Sequence, residues 1–404
     1  MEYPFPQLQI PSFTEVEMPQ TKPRPKRFLG SLPKGRGWIL AILGLATLLV
    51  TLHQLLFGLP SHENPYTIPL SPLDVKDFFA NFEGHRDCGL VSSDIYIPPP
   101  RPTEGVKSQY CPNRKTLLEA LSGGGRHGFN TPFHPRGCHY RWYTTPEVCM
   151  ILSRFSHIVF IGDDLMSQIY AGFNILLREN MALGAFKQWE MSEEERMACR
   201  CENQFVKAEC RKFAVSKSEE VRRGDAESDY TSLYGCDQTP HTYLHTTTSP
   251  TTSPSHLHHL TTLLTTHSHP RSPKKPIPII HSLSLSTNPP YSSPQTLSTL
   301  TSLLHTLLTT TTNSNSKPHI LHIAPPAPGP LTPKSALGHN AAIWKFTREV
   351  QRGVGVLEGV EVLGLFNATV QDGHGMGGEE GLGLRMGVVG AMMVVNWLAM
   401  VEGV

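Results

Sequence analysis

Residues 38–59 form an apolar stretch of 22 positions without a charged side chain. An α-helix needs roughly 20 apolar residues to cross about 30 Å of hydrocarbon, so the stretch is long enough to span a bilayer. Its polar members His53 and Gln54 lie near its C-terminal end, where they can reach the membrane interface. The sequence therefore predicts a transmembrane helix at 38–59. A cleaved signal peptide is the alternative, although its apolar core is usually shorter and nearer the N-terminus.

Positive charge is concentrated just before this stretch. Six lysines and arginines lie within residues 22–36, whereas Glu63 and Asp74 follow the stretch. Because cytoplasmic flanks carry the excess of positive charge, we expect a cytosolic tail at 1–37 and a single-pass type II membrane protein anchored in the lipid bilayer. The residues do not decide among the Golgi, another secretory-pathway membrane and the cell surface. The formal net charge of +1 argues against a nucleic-acid partner.

A lumenal location makes the cysteines candidates for disulfide bonds, because the secretory lumen is oxidising. The chain has eight of them, enough for up to four disulfides whose pairing the sequence does not reveal: Cys88, Cys111, Cys138, Cys149, Cys199, Cys201, Cys210 and Cys236. A zinc cluster built on Cys199, Cys201 and Cys210 is the alternative, but their spacing matches no common four-ligand pattern. The sequon that begins at Asn367 fits the same compartment, because N-glycosylation occurs in the lumen.

The clearest local pattern is a buried strand, a tight turn and a helix. Residues 157–161 are a short apolar run typical of a strand buried in a parallel sheet, and residues 165–180 carry apolar side chains at helical spacing. Further strands are predicted at 277–281, 319–324 and 360–366, and further helices at 297–308, 336–352 and 384–402. This alternation predicts an α/β fold with a mostly parallel sheet.

Composition divides the lumenal part into segments. Residues 60–110 are rich in proline and turn formers and predict a stalk or N-terminal extension. Residues 111–404 are long enough for one large domain. Within it, residues 190–240 carry four cysteines and predict a disulfide-tied insertion, and residues 245–275 predict a surface loop rich in Ser, Thr, His and Pro. A metal site in that loop is an alternative, on His256, His258, His259, His267 and His269.

The turn Gly162-Asp163-Asp164 is the first candidate for a functional site. Ligands of parallel α/β sheets gather beyond the carboxyl ends of the strands, and this turn combines a strand end, a helix N-terminus and two carboxylates. The simpler alternative is that one aspartate only caps the helix, a role for which aspartate is well suited.

A family resemblance extends this reading. Residues 138–144, Cys-His-Tyr-Arg-Trp-Tyr-Thr, and residues 158–163, Ile-Val-Phe-Ile-Gly-Asp, resemble the start of the PC-esterase family, an SGNH-hydrolase-like group that includes plant trichome birefringence-like polysaccharide O-acetyltransferases. The resemblance runs from about Cys111 to the C-terminus and is most specific at 138–180. It implies a three-layer α/β/α sandwich of the SGNH type, preceded here by the transmembrane helix.

The resemblance also implies site residues, and the sequence departs from the family at two of them. The family's turn reads Gly-Asp-Ser with the serine as acyl nucleophile, whereas residue 164 is aspartate here. The family's later Asp-x-x-His is matched by Asp372 and His374, which are one residue closer together. The implied catalytic residues are therefore Asp164, Asp372 and His374. Gly162 and Asp163, with Arg141 and Trp142, are the implied substrate-binding residues.

Asp164 cannot replace a serine hydroxyl in acyl transfer, because that mechanism needs an Oγ whose proton a base removes. Ser167 lies one turn further along the predicted helix and could supply a displaced nucleophile, although a serine there is more often an ordinary surface residue. Arg141 and Trp142, which the resemblance places at the pocket, can equally serve packing or an ion pair.

Three functions are consistent with these residues. The resemblance implies an O-acetyltransferase or esterase acting on an acylated polysaccharide, without a cofactor or bound metal. The missing serine favours a pseudoenzyme that binds a glycan or protein partner. The type II topology with paired aspartates is also found in Golgi glycosyltransferases that hold a divalent metal and a sugar nucleotide.

Overall fold

The structure is a computed structural model, and the chain divides into two compact units, Met1–Ser71 and Pro72–Val404. The residues that the structure describes all belong to the second unit: 78–97, 110–128, 131–227, 236, 239–246, 258, 262, 275–282, 294–312, 319–327, 337–354, 357–370 and 382–401.

Seven strands are described, in chain order β1 to β7: Gly125–Gly128, Thr131–Pro135, Ile158–Gly162, His241–His245, Ile279–Ser282, Ile320–Ala324 and Val360–Gly364. The described α-helices are, in chain order α1 to α11: Ser92–Ile95, Arg114–Ser122, Thr145–Leu152, Asp164–Arg178, Glu193–Ala198, Asn203–Val206, Ser218–Glu227, Pro294–Thr312, Leu337–Val354, Phe366–Thr369 and Gly383–Ala399. Two 3₁₀ helices, Gln188–Glu190 and Ala208–Phe213, lie between α4 and α7.

Five strands form one sheet in the order β4-β3-β5-β6-β7, and every neighbouring pair in it is parallel. Strands β1 and β2 form a separate antiparallel pair. The helices that connect the parallel strands complete an α/β fold, as the sequence predicted. The predicted buried strands are present with ends shifted by one or two residues, whereas β4 and the β1–β2 pair were not predicted.

Side chains of successive strand residues enter two separate cores, because neighbouring residues of a strand point to opposite faces of the sheet. Phe160 and Ile280 belong to a core that includes buried residues of α2, α3, α4 and α11. Val159 and Ile279 belong to a second core that includes buried residues of α8 and α9. Helices therefore cover both faces of the sheet, and the central strands are buried on both sides.

Helices α4 and α11 pack against each other through glycines. A Cβ atom on Gly172 of α4 would lie 2.2 Å from the carbonyl oxygen of Gly387 in α11. Because that distance is far below a normal contact, the two helix backbones can approach this closely only without a side chain at residue 172. This contact fixes the position of α4, whose N-terminus forms the candidate site.

Part of the segment predicted as a stalk or extension packs against the domain. Phe79 and Ile95 are fully buried in the core that contains α4 and α11. The ring of Phe79 contacts Trp142 edge to face, with ring centroids 5.9 Å apart. Residues 78–97 are thus an integral part of the folded unit.

All eight cysteines are paired, which confirms the prediction of disulfides. The four bonds are Cys88–Cys201, Cys111–Cys138, Cys149–Cys236 and Cys199–Cys210. Cys199–Cys210 closes a loop within the predicted insertion, and Cys201 and Cys236 tie that segment to distant parts of the chain. This use of cysteine is consistent with a secreted or lumenal protein.

The bond between Cys149 and Cys236 should contribute measurably to stability. It joins residues 87 positions apart, and removing a cross-link over such a distance increases the conformational freedom of the unfolded chain. We expect the paired change of Cys149→Ser and Cys236→Ser to lower the free energy of unfolding by about 2–4 kcal/mol, measured by urea denaturation. The paired change at Cys199 and Cys210, whose separation is 11 residues, should cost less. Equal costs would contradict the loop-entropy explanation.

Several sequence predictions lie outside the described residues. Among the residues that the structure describes, no helix combines the length and apolar character needed to cross a membrane, and the predicted span at 38–59 is not among them. The alternative metal site of the histidine-rich loop also lies outside them, except for His258. Within the described part of the chain, no group of three or more potential ligands is placed to hold a metal.

Candidate active site

The turn Gly162-Asp163-Asp164 lies at the carboxyl edge of the sheet, where the strand order reverses. From β3 the chain moves to β4 on one side and then to β5 on the other side of β3. Such a switch point leaves a crevice outside the strand ends, and ligands of open α/β sheets bind there. The structure therefore places the predicted turn at the position where this architecture is suited to bind a ligand.

Gly162 allows the turn to be this tight. A Cβ atom at this residue would lie 2.7 Å from the Cβ of Met166 and 2.7 Å from the Oγ of Ser282. Both distances are shorter than a normal contact, so a side chain at residue 162 would push the first turn of α4 away from the end of β5. Glycine is needed here for close approach.

Asp163 occupies the N-cap position of α4, but its side chain makes no capping hydrogen bond. The carboxyl group is buried, with the residue 3% exposed. Its backbone carbonyl accepts hydrogen bonds from the backbone N–H of Ser167 at 2.9 Å and from the Tyr243 hydroxyl at 3.0 Å. Side-chain capping, the simpler alternative for this residue, is therefore not what the structure shows.

Asp164 is the first residue of α4 and forms an ion pair with Arg211. Oδ1 of Asp164 lies 3.1 Å from Nη1 of Arg211, and both side chains are partly exposed. Arg211 belongs to the 3₁₀ helix Ala208–Phe213, next to the disulfide-bonded Cys210. An exposed ion pair of this kind contributes at most about 1 kcal/mol to stability. The ion pair also fixes the orientation of the Asp164 carboxylate, which faces the guanidinium of Arg211.

A small cleft opens beside this ion pair, between α4 and the segment that carries Arg211. Its cavity volume is about 20 Å³, which is room for one or two water molecules. The polar side chains that line it belong to Asp164, Ser167, Gln168, Gln204, Arg211 and Tyr243. The rest of the lining is apolar or aromatic and includes Phe186, Phe205 and Val215, so the cleft suits a small group of mixed polarity rather than a long acyl chain.

Tyr243 of β4 connects the cleft to the turn. Its hydroxyl lies 3.1 Å from the carbonyl oxygen of Gly162, 3.0 Å from that of Asp163 and 3.0 Å from Nδ1 of His245. The side chain of Ser167 lines the same cleft. Burial raises the pKa of Tyr243 well above its usual range, and the nearby carboxylates of Asp163 and Asp164 raise it further. The phenol therefore stays protonated at neutral pH.

The remaining predicted site residues lie elsewhere or outside the described part. Arg141 pairs with Glu147 at 2.5 Å, and Trp142 is buried among aromatic rings; neither lines the cleft. Asp372 and His374 are not among the described residues.

The Asn367 side chain donates a hydrogen bond to the carbonyl oxygen of Ser122 at 2.7 Å. The structure thus gives this side chain a role in joining α10 to the end of α2. Its glycosylation stays a prediction.

Five residues of the site were not found from the sequence: Gln168, Gln204, Arg211, Tyr243 and His245. Tyr243 and His245 belong to β4, whose five residues His-Thr-Tyr-Leu-His give no clear strand pattern and adjoin a segment of biased composition. No sequence pattern marked Arg211 as a site residue, because only the folding of the disulfide-bonded segment brings it to Asp164.

Comparison with protein-family models, with curated proteins and with solved structures finds no match for this chain. The resemblance to the PC-esterase family therefore stays a prediction from the residues that carry it.

Proposed function

We propose that this chain is a membrane-anchored lumenal domain of the PC-esterase type that hydrolyses or transfers a small acyl group on a glycan. The observation that carries the proposal is the position of the cleft, which is lined by Asp164 of the Gly162-Asp163-Asp164 turn and by Tyr243, whose hydroxyl bonds to the carbonyl oxygens of that turn. Helices on both faces of a parallel sheet are compatible with the three-layer SGNH-like sandwich that the resemblance implies.

The chemistry of the cleft supports a small ester as substrate. Arg211 places a guanidinium at the cleft, next to the first turn of α4, whose N–H groups have no carbonyl partner within the helix. Positive potential stabilises the oxyanion that forms when an ester carbonyl is attacked. The cavity of about 20 Å³ favours an acetyl group over longer acyl chains.

In this proposal Asp164 is not the nucleophile. Its carboxylate is held by Arg211 and has no proton to pass to a base. Its role is to orient the guanidinium at the mouth of the cleft. The side chain on which the acyl group would form a covalent intermediate must therefore be another one.

Binding without turnover is the second candidate function. The ion pair between Asp164 and Arg211 favours it, because a family nucleophile has been replaced by a residue that serves a structural contact. The same cleft would then recognise a glycan or a protein partner in the secretory pathway and leave it unchanged.

Acetate release distinguishes the two candidates. We would incubate the detergent-solubilised full chain with acetylated polysaccharide and with a chromogenic acetate ester, and compare wild type with Asp164→Ala and Asp164→Ser. Wild-type turnover that falls by about tenfold in Asp164→Ala, rather than by the factor of 10³ or more that follows loss of a nucleophile, is expected. His305→Ala, at an exposed position on α8, is the matched control.

If only Asp164→Ser releases acetate, or if no variant does, the binding function replaces the enzymatic one. A gain of thermal stability from manganese together with a nucleotide sugar would instead support the glycosyltransferase alternative.

A further inference from the structure

Ser167 and Tyr243 both line the cleft, and the Tyr243 hydroxyl lies 3.0 Å from Nδ1 of His245. We infer that Ser167 is the nucleophile of this site and that Tyr243 passes its proton to His245. The inference rests on the proposed function, because it assigns residues to the same acyl-group reaction. It gives His245 the base role that the family resemblance gives to His374.

Ser167 is placed where a nucleophile is needed. It lies three residues after Asp164 in α4, so the two side chains share one face of the helix. Ser167 lines the cleft with Arg211 and Tyr243 and is partly exposed. A substrate carbonyl in the cleft would therefore meet the serine hydroxyl and the guanidinium together.

Tyr243 is suited to pass on a proton. Its hydroxyl has one proton to donate and three acceptors at nearly equal distances: two backbone carbonyl oxygens and Nδ1 of His245. When Nδ1 carries no proton, the tyrosine can donate to it and accept from Ser167. The raised pKa of Tyr243 means that the two protons move together and a free tyrosinate does not form.

Bonds and protons balance when acylation runs over these three residues. Oγ of Ser167 bonds to the ester carbonyl carbon, and the carbonyl electron pair moves onto oxygen, near the guanidinium of Arg211. The proton of Ser167 goes to Tyr243 as the proton of Tyr243 goes to His245, which becomes an imidazolium. Collapse of the intermediate breaks the bond to the sugar oxygen, and that oxygen recovers the proton through the same residues. Water or a second hydroxyl then removes the acyl group from Ser167.

Charge in the site is arranged to support this step. Asp163 and Asp164 lie close enough to Tyr243 to raise its pKa, which keeps the proton on the phenol until His245 accepts it. Arg211 has five N–H donors, and its ion pair with Asp164 involves Nη1. The guanidinium can thus hold Asp164 and face a developing oxyanion at the same time.

Covalent labelling tests the nucleophile directly. We would treat the detergent-solubilised full chain with a fluorophosphonate probe, which reacts with activated serine hydroxyls, and locate the adduct by mass spectrometry. The tryptic peptide 155–178 contains two serines, Ser156 and Ser167. Ser156 bonds to the carbonyl of Lys275 at the amino end of β3 and serves as the internal control. The adduct is expected on Ser167.

The relay is tested with Tyr243→Phe and His245→Ala. Each should slow both labelling and acetate release by about 100-fold, the effect of losing general-base assistance. Added imidazole should restore much of the rate of His245→Ala and none of the rate of Tyr243→Phe. A purely structural role for His245 would not give this rescue. Because His245 is exposed at a strand end, its variant keeps the test valid if Tyr243→Phe does not fold.

The outcomes separate the inference from the proposed function. An adduct on Ser167 that depends on Tyr243 and His245 supports both. Turnover with the adduct on another residue, or imidazole rescue of His374→Ala and not of His245→Ala, overturns the inference and leaves the proposed function in place. Folded wild-type chain that neither releases acetate nor takes up the probe overturns both.

Discussion

Lowering the pH from about 7.5 to about 5 is expected to reduce the free energy of unfolding by roughly 4–6 kcal/mol. The cause is three histidines buried in the parallel sheet: His241 on β4, His281 on β5 and His322 on β6. Burial lowers the pKa of His241 to about 3 and that of His281 to about 4, and it lowers the pKa of His322 well below its usual range. In the unfolded chain each has a pKa of about 6.5.

The sign of the effect follows from proton uptake. As the pH falls below about 6.5, the unfolded chain binds protons at these histidines and the folded chain does not, so the unfolded state gains stability. Each histidine that stays neutral in the folded state costs about 2 kcal/mol at pH 5. Above pH 6.5 the contribution of these residues is fully present.

Burial holds these imidazoles neutral, and the hydrogen bonds that they make do not require a charge on the ring. Nδ1 of His281 lies 3.0 Å from Nδ1 of His322, so one ring must donate and the other accept. Nδ1 of His241 is 2.8 Å from the hydroxyl of Tyr170. Within the described part of the chain, Nε2 of His322 has no hydrogen-bond partner. Protonation of the His281–His322 pair would place a buried cation that no carboxylate of the described residues contacts.

Urea denaturation followed by tryptophan fluorescence at several pH values measures this effect. The slope of stability against pH should decrease in His322→Gln, because one titrating group is removed. His305→Gln, on the exposed face of α8, should leave the slope as in wild type. A stability that is constant from pH 7.5 to 5 would show that the three rings are hydrated in solution.

The central strands were predictable because a strand buried on both faces has apolar residues along its whole length. Residues 157–161 are a nearly continuous apolar run, as strands of a covered parallel sheet require. Strand β4 lacks such an apolar run, since it contains two histidines and a threonine. These polar groups are satisfied by tertiary partners: Thr242 by His157 at 2.9 Å and His241 by Tyr170. Such pairing depends on the fold and cannot be read from the strand alone.

The candidate site was predictable only in its local part. The Gly162-Asp163-Asp164 turn follows from a strand and a helix that are adjacent in the chain. Arg211 reaches Asp164 across 47 residues, and Tyr243 reaches the Asp163 carbonyl across 80. Disulfides such as Cys88–Cys201, separated by 113 residues, help to place these segments. Their pairing cannot be inferred from spacing, because eight cysteines allow 105 pairings.

Replacing Gly172 with alanine is expected to destabilise the domain by about 3 kcal/mol, although alanine is the better helix former by up to about 1 kcal/mol. The new Cβ would lie 2.2 Å from the carbonyl oxygen and 2.4 Å from the carbonyl carbon of Gly387. Both atoms belong to the backbone of α11, so a side-chain rotation cannot relieve the contact, and α4 and α11 must separate. Their separation opens the core that both helices share.

The same substitution at Gly353 provides the matched control. Gly353 is near the end of α9, and a Cβ there meets no atom within 4 Å, so Gly353→Ala should be neutral or stabilising by up to about 1 kcal/mol. Urea denaturation of the two variants should therefore give changes of opposite sign from one chemical change. Because α4 carries Asp164 and Ser167 at its other end, Gly172→Ala should also lower acetate release if the proposed function holds. A Gly172→Ala variant as stable as wild type would mean that α4 and α11 lie further apart in solution. Asp164 and Ser167, which α4 carries, would then be placed differently as well.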